Sequence, residues 1–165
     1  MSEPSLGPNR VGSLSAIGIG LLALGAGAPY SALSLLIAAP GLALFAVGAL
    51  TGRRGAVSFG AIVLFLGIVA AGADGAPVVA VLVGVTATVL AWDLGEHSIG
   101  LGEQLGRDAD ATRNVAVHAV VSLAVGVAAV GGSYSVYSIA GGGLPLTTLI
   151  LLLLAAIALT AALRP

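Results

Sequence analysis

An all-α integral membrane bundle of about six transmembrane helices is the fold this sequence predicts, and three observations predict it. Of 165 residues, 58% are hydrophobic and 8% charged, far from the roughly one quarter of charged residues that a soluble surface uses. The apolar residues fall in six runs near the length a helix needs to cross about 30 Å of hydrocarbon. Every basic residue falls on one side of the topology those six runs generate.

The runs cover residues 11–28, 31–50, 56–72, 77–94, 114–131 and 144–163. The links between the first four are short and carry turn chemistry: Ala28-Pro29-Tyr30, Thr51-Gly52-Arg53-Arg54-Gly55 and Ala73-Asp74-Gly75-Ala76. Pro77 and Pro145 stand where a first helical turn tolerates proline. Pro40 lies inside the second run, where a kink is expected, its freed carbonyl satisfied by a neighbouring helix. A single domain over residues 1–165 follows, with a cytoplasmic amphipathic segment at 95–113 between the fourth and fifth runs.

Arginine sets the orientation. The chain has no lysine, and its six arginines are Arg10, Arg53, Arg54, Arg107, Arg113 and Arg164. With the N-terminus in the cytoplasm, all six fall in inner segments and none in the three outer ones, as the positive-inside rule requires. Both termini are therefore expected in the cytoplasm, in a multi-pass protein of the cell membrane. Arg10, the apolar run and Ala26-Gly27-Ala28 also admit a cleaved secretory signal. That alternative leaves five spans in the same orientation. A single Arg offset by Glu3, and an apolar run long for a signal, favour a retained span.

Glycine is abundant, with 25 residues. Gly18, Gly20, Gly25 and Gly27 crowd the first run, and Gly48 with Gly52 makes a small-xxx-small pair at the end of the second. Close backbone approach drives helix association in lipid, so these are read as packing residues. The last run, with Leu149-Ile150-Leu151-Leu152-Leu153-Leu154, is bulky all round and reads as lipid-exposed. Tyr134 and Tyr137 are expected in an outer loop at the interface, where amphipathic rings settle.

Chemistry concentrates between Trp92 and His118. Five of the seven acids, both histidines, the only tryptophan, Arg107 and Arg113 fall there. Placed on a helix at about 100° per residue, Gly95, Gly102, Gly106 and Ala109 share one face. Leu94, Leu101 and Leu105 form a stripe beside them, and Glu96, Glu103, Arg107 and Asp110 gather on the other side. Glu103 and Arg107 have favourable i,i+4 spacing. The four glycines between 95 and 106 cost an isolated helix roughly 1 kcal/mol each, so the segment is helical only if something packs on its Gly and Leu faces. It is expected to continue the fourth span, turn near 108–112, and lie against the bundle or a partner. Leu94, Gly95, Leu101, Gly102, Leu105 and Gly106 are the candidate partner-docking residues.

A second polar line follows. Asn114, His118, Ser122 and Gly126 recur every four residues and share a face. His118 is expected near the level of Asp93, with Thr86 on the same face as Asp93. Thr86, Asp93, Asn114, His118 and Ser122 are thus a candidate intramembrane cluster, and ionisable groups inside a membrane are functional candidates by default. The simplest reading of the region is a solvated inner loop with His118 hydrogen-bonded within the bundle. An ion or proton site on Asp93, Glu96, His97 and His118 is the most specific reading.

Other chemistry is not encoded. Without cysteine there is no thiolate nucleophile, disulfide or cysteine-held cluster. Glu96 and His97 diverge on a helix and no His-x-x-x-His pair occurs, so no metal and no cofactor is expected. No Gly-x-Ser-x-Gly elbow, P-loop or triad spacing is present, which argues against an enzyme. No basic stripe with interleaved aromatics is present, which argues against nucleic acid.

The runs Ala91-Trp92-Asp93-Leu94-Gly95-Glu96 and Gly100-Leu101-Gly102-Glu103-Gln104-Leu105-Gly106-Arg107, with His118-Ala119, resemble a family of small haloarchaeal multi-span membrane proteins without an assigned activity. The resemblance extends along the chain, but these runs are its specific part. It implies an archaeal cell-membrane protein encoded near MoxR-type AAA ATPases and von Willebrand-like proteins, and hence an accessory role. The expected partners are membrane lipid and a protein partner or a second copy. A non-enzymatic scaffold or complex subunit docking through 92–113 is the expected function; a small transporter or channel with a polar path at spans four and five is the alternative.

Overall fold

The computed structural model describes residues 7–105 and 112–139, and all five regular elements among them are α-helices: α1 (Arg10–Gly27), α2 (Ala32–Thr51), α3 (Arg54–Ala73), α4 (Val78–Leu105) and α5 (Thr112–Ile139). Each of the five is long and apolar enough to cross a membrane. The expected sixth run, 144–163, lies outside the described residues. The chain divides into two units, Met1–Val130 and Gly131–Pro165; of the second, the end of α5 is the described part.

Local chemistry places the ends. The Asn9 side chain caps α1 by accepting from the Gly12 N–H, and the Ser31 hydroxyl caps α2 by accepting from Ser34. Such caps satisfy N–H groups that the first helical turn leaves unpaired. Gly52 ends α2 with φ 77°, in the left-handed region where glycine carries no Cβ penalty. Pro40 lies inside α2, and the Pro77 carbonyl accepts from Val81 at the start of α4.

In the first unit α2 packs chiefly on α3, and α1 on α4, with α3 against α4 closing the group. Small residues set the α2–α3 spacing. A methyl built on Gly48 would stand 2.6 Å from the Val57 backbone nitrogen, and one on Gly41 2.7 Å from that of Leu64. Gly67 meets Ala38 in the same way. Phe45, Val57, Leu64, Ile68, Leu94 and Ile99 fill the buried interior, among the alanines Ala16, Ala23, Ala38, Ala49 and Ala91. Gly20 and Gly27 lie at contacts of α1, whereas Gly18 and Gly25 face open space.

The structure differs from the sequence expectation at the end of α5. Tyr134 and Tyr137 belong to α5, which runs unbroken to Ile139, rather than to an outer loop. Gly131-Gly132 does not end the helix, and the Ser135 and Ser138 hydroxyls bond back to helix carbonyls instead of capping a new element. Glu103 pairs with Arg54 across the bundle; Arg107, its expected partner, lies outside the described residues.

Candidate functional site

α4 carries polar groups on three sides, each facing a different neighbour. Toward α5, Asp93 and His97 are one turn apart on α4, and His118 and Ser122 one turn apart on α5, so two i,i+4 pairs meet. His118 Nε2 donates to Asp93 Oδ2 at 2.8 Å, and the Ser122 hydroxyl donates to the same oxygen at 2.7 Å. The His97 ring stacks on that of His118, with centroids 3.9 Å apart and planes 9° from parallel. His97 Nε2 is buried with no hydrogen-bond partner. Two turns further along α4, the Thr86 methyl lies against Gly126, away from the cluster. Asn114 is exposed at the start of α5. Of the expected polar line, the structure therefore brings together Asp93, His118 and Ser122, adds His97, and leaves Thr86 and Asn114 apart.

Serine, histidine and aspartate meet here, but not as a nucleophilic relay. That chemistry needs the imidazole to accept the serine proton while the carboxylate orients the ring. Here both donors converge on one carboxylate oxygen. Among the described residues no group of three or more His, Asp or Glu is arranged to hold a metal ion.

Toward α3, Arg54 is clamped by two carboxylates spaced two turns apart on α4. Its Nη1 meets Glu96 at 2.7 Å and its Nη2 meets Glu103 at 2.9 Å. The Ser58 hydroxyl donates to Glu96, and Trp92 Nε1 donates to Ser58. Arg54 and Ser58 were not among the candidate residues, and the only sequence signal for them was an arginine pair in a short turn before an apolar run. Beside this network an apolar crevice of about 290 Å³ opens between α3 and α4, lined by Ala61, Ile62, Phe65, Thr88, Val89 and Trp92 with the Cβ side of Ser58.

Toward α1, the glycine face of α4 is filled from within the chain. The Asn9 N–H donates to the Ser98 carbonyl, and the Ser13 hydroxyl donates to the Ala49 carbonyl while touching Ser98 Oγ. A methyl on Gly12 would strike Ser98, and one on Gly102 would strike the Gly7 carbonyl. Gly95 packs on Phe45 and Val57, and Leu94 and Leu101 are buried. Four candidate docking residues, Leu94, Gly95, Leu101 and Gly102, are thus occupied by the chain's own first three helices and the segment before α1. The helix needed something on its Gly and Leu faces, and the bundle supplies it. The Leu105 side chain and Gly106 lie outside the described residues.

α5 is packed differently from the rest. In the most apolar 18-residue windows of α1 to α4, 33–39% of residues are buried; in that of α5, 6% are. Val115 is its one buried residue. Opposite the His118–Ser122–Gly126 face, Val117, Val121, Ala124 and Ala128 are exposed.

No curated protein and no solved structure matches the chain. A family model matches residues 7–160, nearly the full length. The chain belongs to that family, a family of unknown function (DUF7519).

Proposed function

We propose that this chain is an integral membrane protein acting as a non-enzymatic subunit of a larger membrane assembly, with both termini cytoplasmic and α5 as its docking helix. The observation that carries the reading is the packing of α5: 28 residues of which only Val115 is buried. Its outward face also places Ala124 and Ala128 four residues apart. A helix facing lipid alone gains nothing from small residues, whereas a helix facing another helix gains close approach. The exposed edge of the 92–104 segment, with Trp92 and Glu103, leaves room for a second contact, while its Gly and Leu face serves the bundle. The arginine distribution supports the orientation. The resemblance to haloarchaeal membrane proteins encoded near MoxR-type ATPases makes such an assembly the first place to look for the partner.

Mild-detergent extraction of the tagged chain from its native membrane, with mass spectrometry of what co-elutes, tests this. A stoichiometric membrane partner that is lost in Ala124→Trp/Ala128→Trp, with insertion intact, is the expected result. Recovery of the chain alone, or a partner indifferent to both substitutions, overturns it.

A second reading rests on the Asp93–His97–His118–Ser122 cluster. A carboxylate, two stacked imidazoles and a hydroxyl between two candidate spans, with one ring nitrogen buried and unbonded, are the groups a small ion or proton transporter uses. In the same preparation, reconstituted into proteoliposomes, flux that collapses in His118→Ala would favour this reading over the first.

A further inference from the structure

We propose that the crevice between α3 and α4 binds one chain of a membrane lipid whose headgroup carries both an ammonium and a phosphate, the ammonium held at Glu96 and Glu103. The inference rests on the membrane reading above and assigns a lipid to the edge at Trp92 and Glu103 that the reading leaves open for a second contact.

The crevice has the shape and chemistry of a chain site. It is apolar along two turns of α3, from Ser58 to Phe65, or about 10 Å at the helical rise. Ile62 and Val89 at its margins are exposed, so it opens sideways toward the surroundings of the bundle rather than into the core. The two hydroxyls on its wall are turned away from it. Ser58 bonds Glu96 and receives the Trp92 N–H, and Thr88 bonds the Gly84 carbonyl of its own helix. At about 290 Å³ it approaches the lower end of ordinary ligand pockets, roughly 300 Å³.

Charge at one end selects the headgroup. The crevice ends at Trp92, and the next side chains along are Glu96, Arg54 and Glu103. Two carboxylates share one guanidinium there, which leaves an excess negative charge at the chain mouth. Glu103 is largely exposed, so a headgroup can reach it. Arg53 precedes α3 at the same end and forms no ion pair with any described residue. An ammonium therefore meets a carboxylate surplus and the neighbouring phosphate meets an uncommitted guanidinium. Trp92 adds an indole beside the mouth, whose ring face attracts cations.

Trp92 is the only tryptophan, so its fluorescence reports this site alone. The full chain is placed in nanodiscs containing lipids with brominated chains, which quench on contact, and two headgroups are compared on identical chains. One carries phosphate and a primary ammonium, the other phosphate and glycerol. The ammonium lipid is expected to quench at roughly two- to fivefold lower mole fraction, the range an exposed ion pair supplies. The preference should shrink in Glu103→Gln, a change at a largely exposed side chain whose ion pair is with Arg54, and vanish in Glu96→Gln/Glu103→Gln. Equal quenching by both lipids, or a preference that survives the double substitution, overturns the headgroup assignment while leaving the membrane reading in place. No quenching by either lipid overturns the site itself, while failure of the chain to insert into the nanodisc would be the separate sign that the membrane reading is wrong.

Discussion

Replacing Gly48 with alanine sets two helical effects against each other, and the structure says which wins. In a helix, alanine is favoured over glycine by about 1 kcal/mol because less backbone entropy is lost. At Gly48, however, the new methyl would lie 2.6 Å from the Val57 backbone nitrogen and 2.9 Å from Ala56. Ordinary contact begins near 3.4 Å, so α2 and α3 must part by about 0.8 Å. The obstructing atom is backbone and cannot rotate aside. Overpacking of this kind costs about 1–3 kcal/mol. Gly18 on α1 provides the reference, because a methyl there meets nothing within 4 Å. The propensity gain is common to both substitutions and cancels in their comparison. Gly48→Ala should therefore unfold about 1–3 kcal/mol more easily than Gly18→Ala. Equilibrium unfolding of the purified chain in mixed micelles, followed by circular dichroism, measures the difference. Equal stability of the two variants would refute the close α2–α3 packing.

Two further outcomes follow from α4. In a double-mutant cycle with Asp93→Ala and His118→Ala, a coupling of about 0.6–1.7 kcal/mol is expected, the range of interhelical hydrogen bonds in membranes; additivity within error would mean the pair does not form. Gly102→Val should expel the Gly7–Pro8 main chain from the face of α4, making the chain ahead of α1 a protease target while the core keeps its helicity. Unchanged protection of that segment would show that it does not lie there.

The helices were legible because apolar runs of span length leave few alternatives in lipid. The spacing of Asn114, His118, Ser122 and Gly126 put four residues on one face, and the structure turns the last three of them to α4. Asn114, a turn earlier, lies where α5 begins and is exposed. The stacking of His97 on His118 was not legible, since it depends on how two helices rotate against each other. Arg54 escaped for a related reason: its carboxylates lie 42 and 49 residues away, and no local periodicity links them. The Gly and Leu stripes of 94–106 announced a face that must be covered. They did not say by what, because a glycine groove accepts a neighbouring helix of the same chain as readily as a foreign one.

The placement of polar groups on α4 follows from what lipid denies a helix. Apolar contact hardly distinguishes one rotation of a helix about its axis from another when the surroundings are as apolar as leucine. Hydrogen bonds do. Between Trp92 and Glu103, α4 commits Asp93 and His97 to α5, Trp92, Glu96 and Glu103 to α3, and Ser98 to Asn9 and Ser13. These sectors point in three different directions around one axis, so no rotation of α4 satisfies two of them while releasing the third. With α4 held in this way, α5 can meet it through the narrow face of His118, Ser122 and Gly126, and most of its circumference is left uncovered by the described residues. A helix secured through so few residues is one on which Ala124 and Ala128 can serve another contact without loosening the bundle. The polar contacts thus fix the rotation of α4 and leave the exposed surface, Ala124 and Ala128 included, on α5.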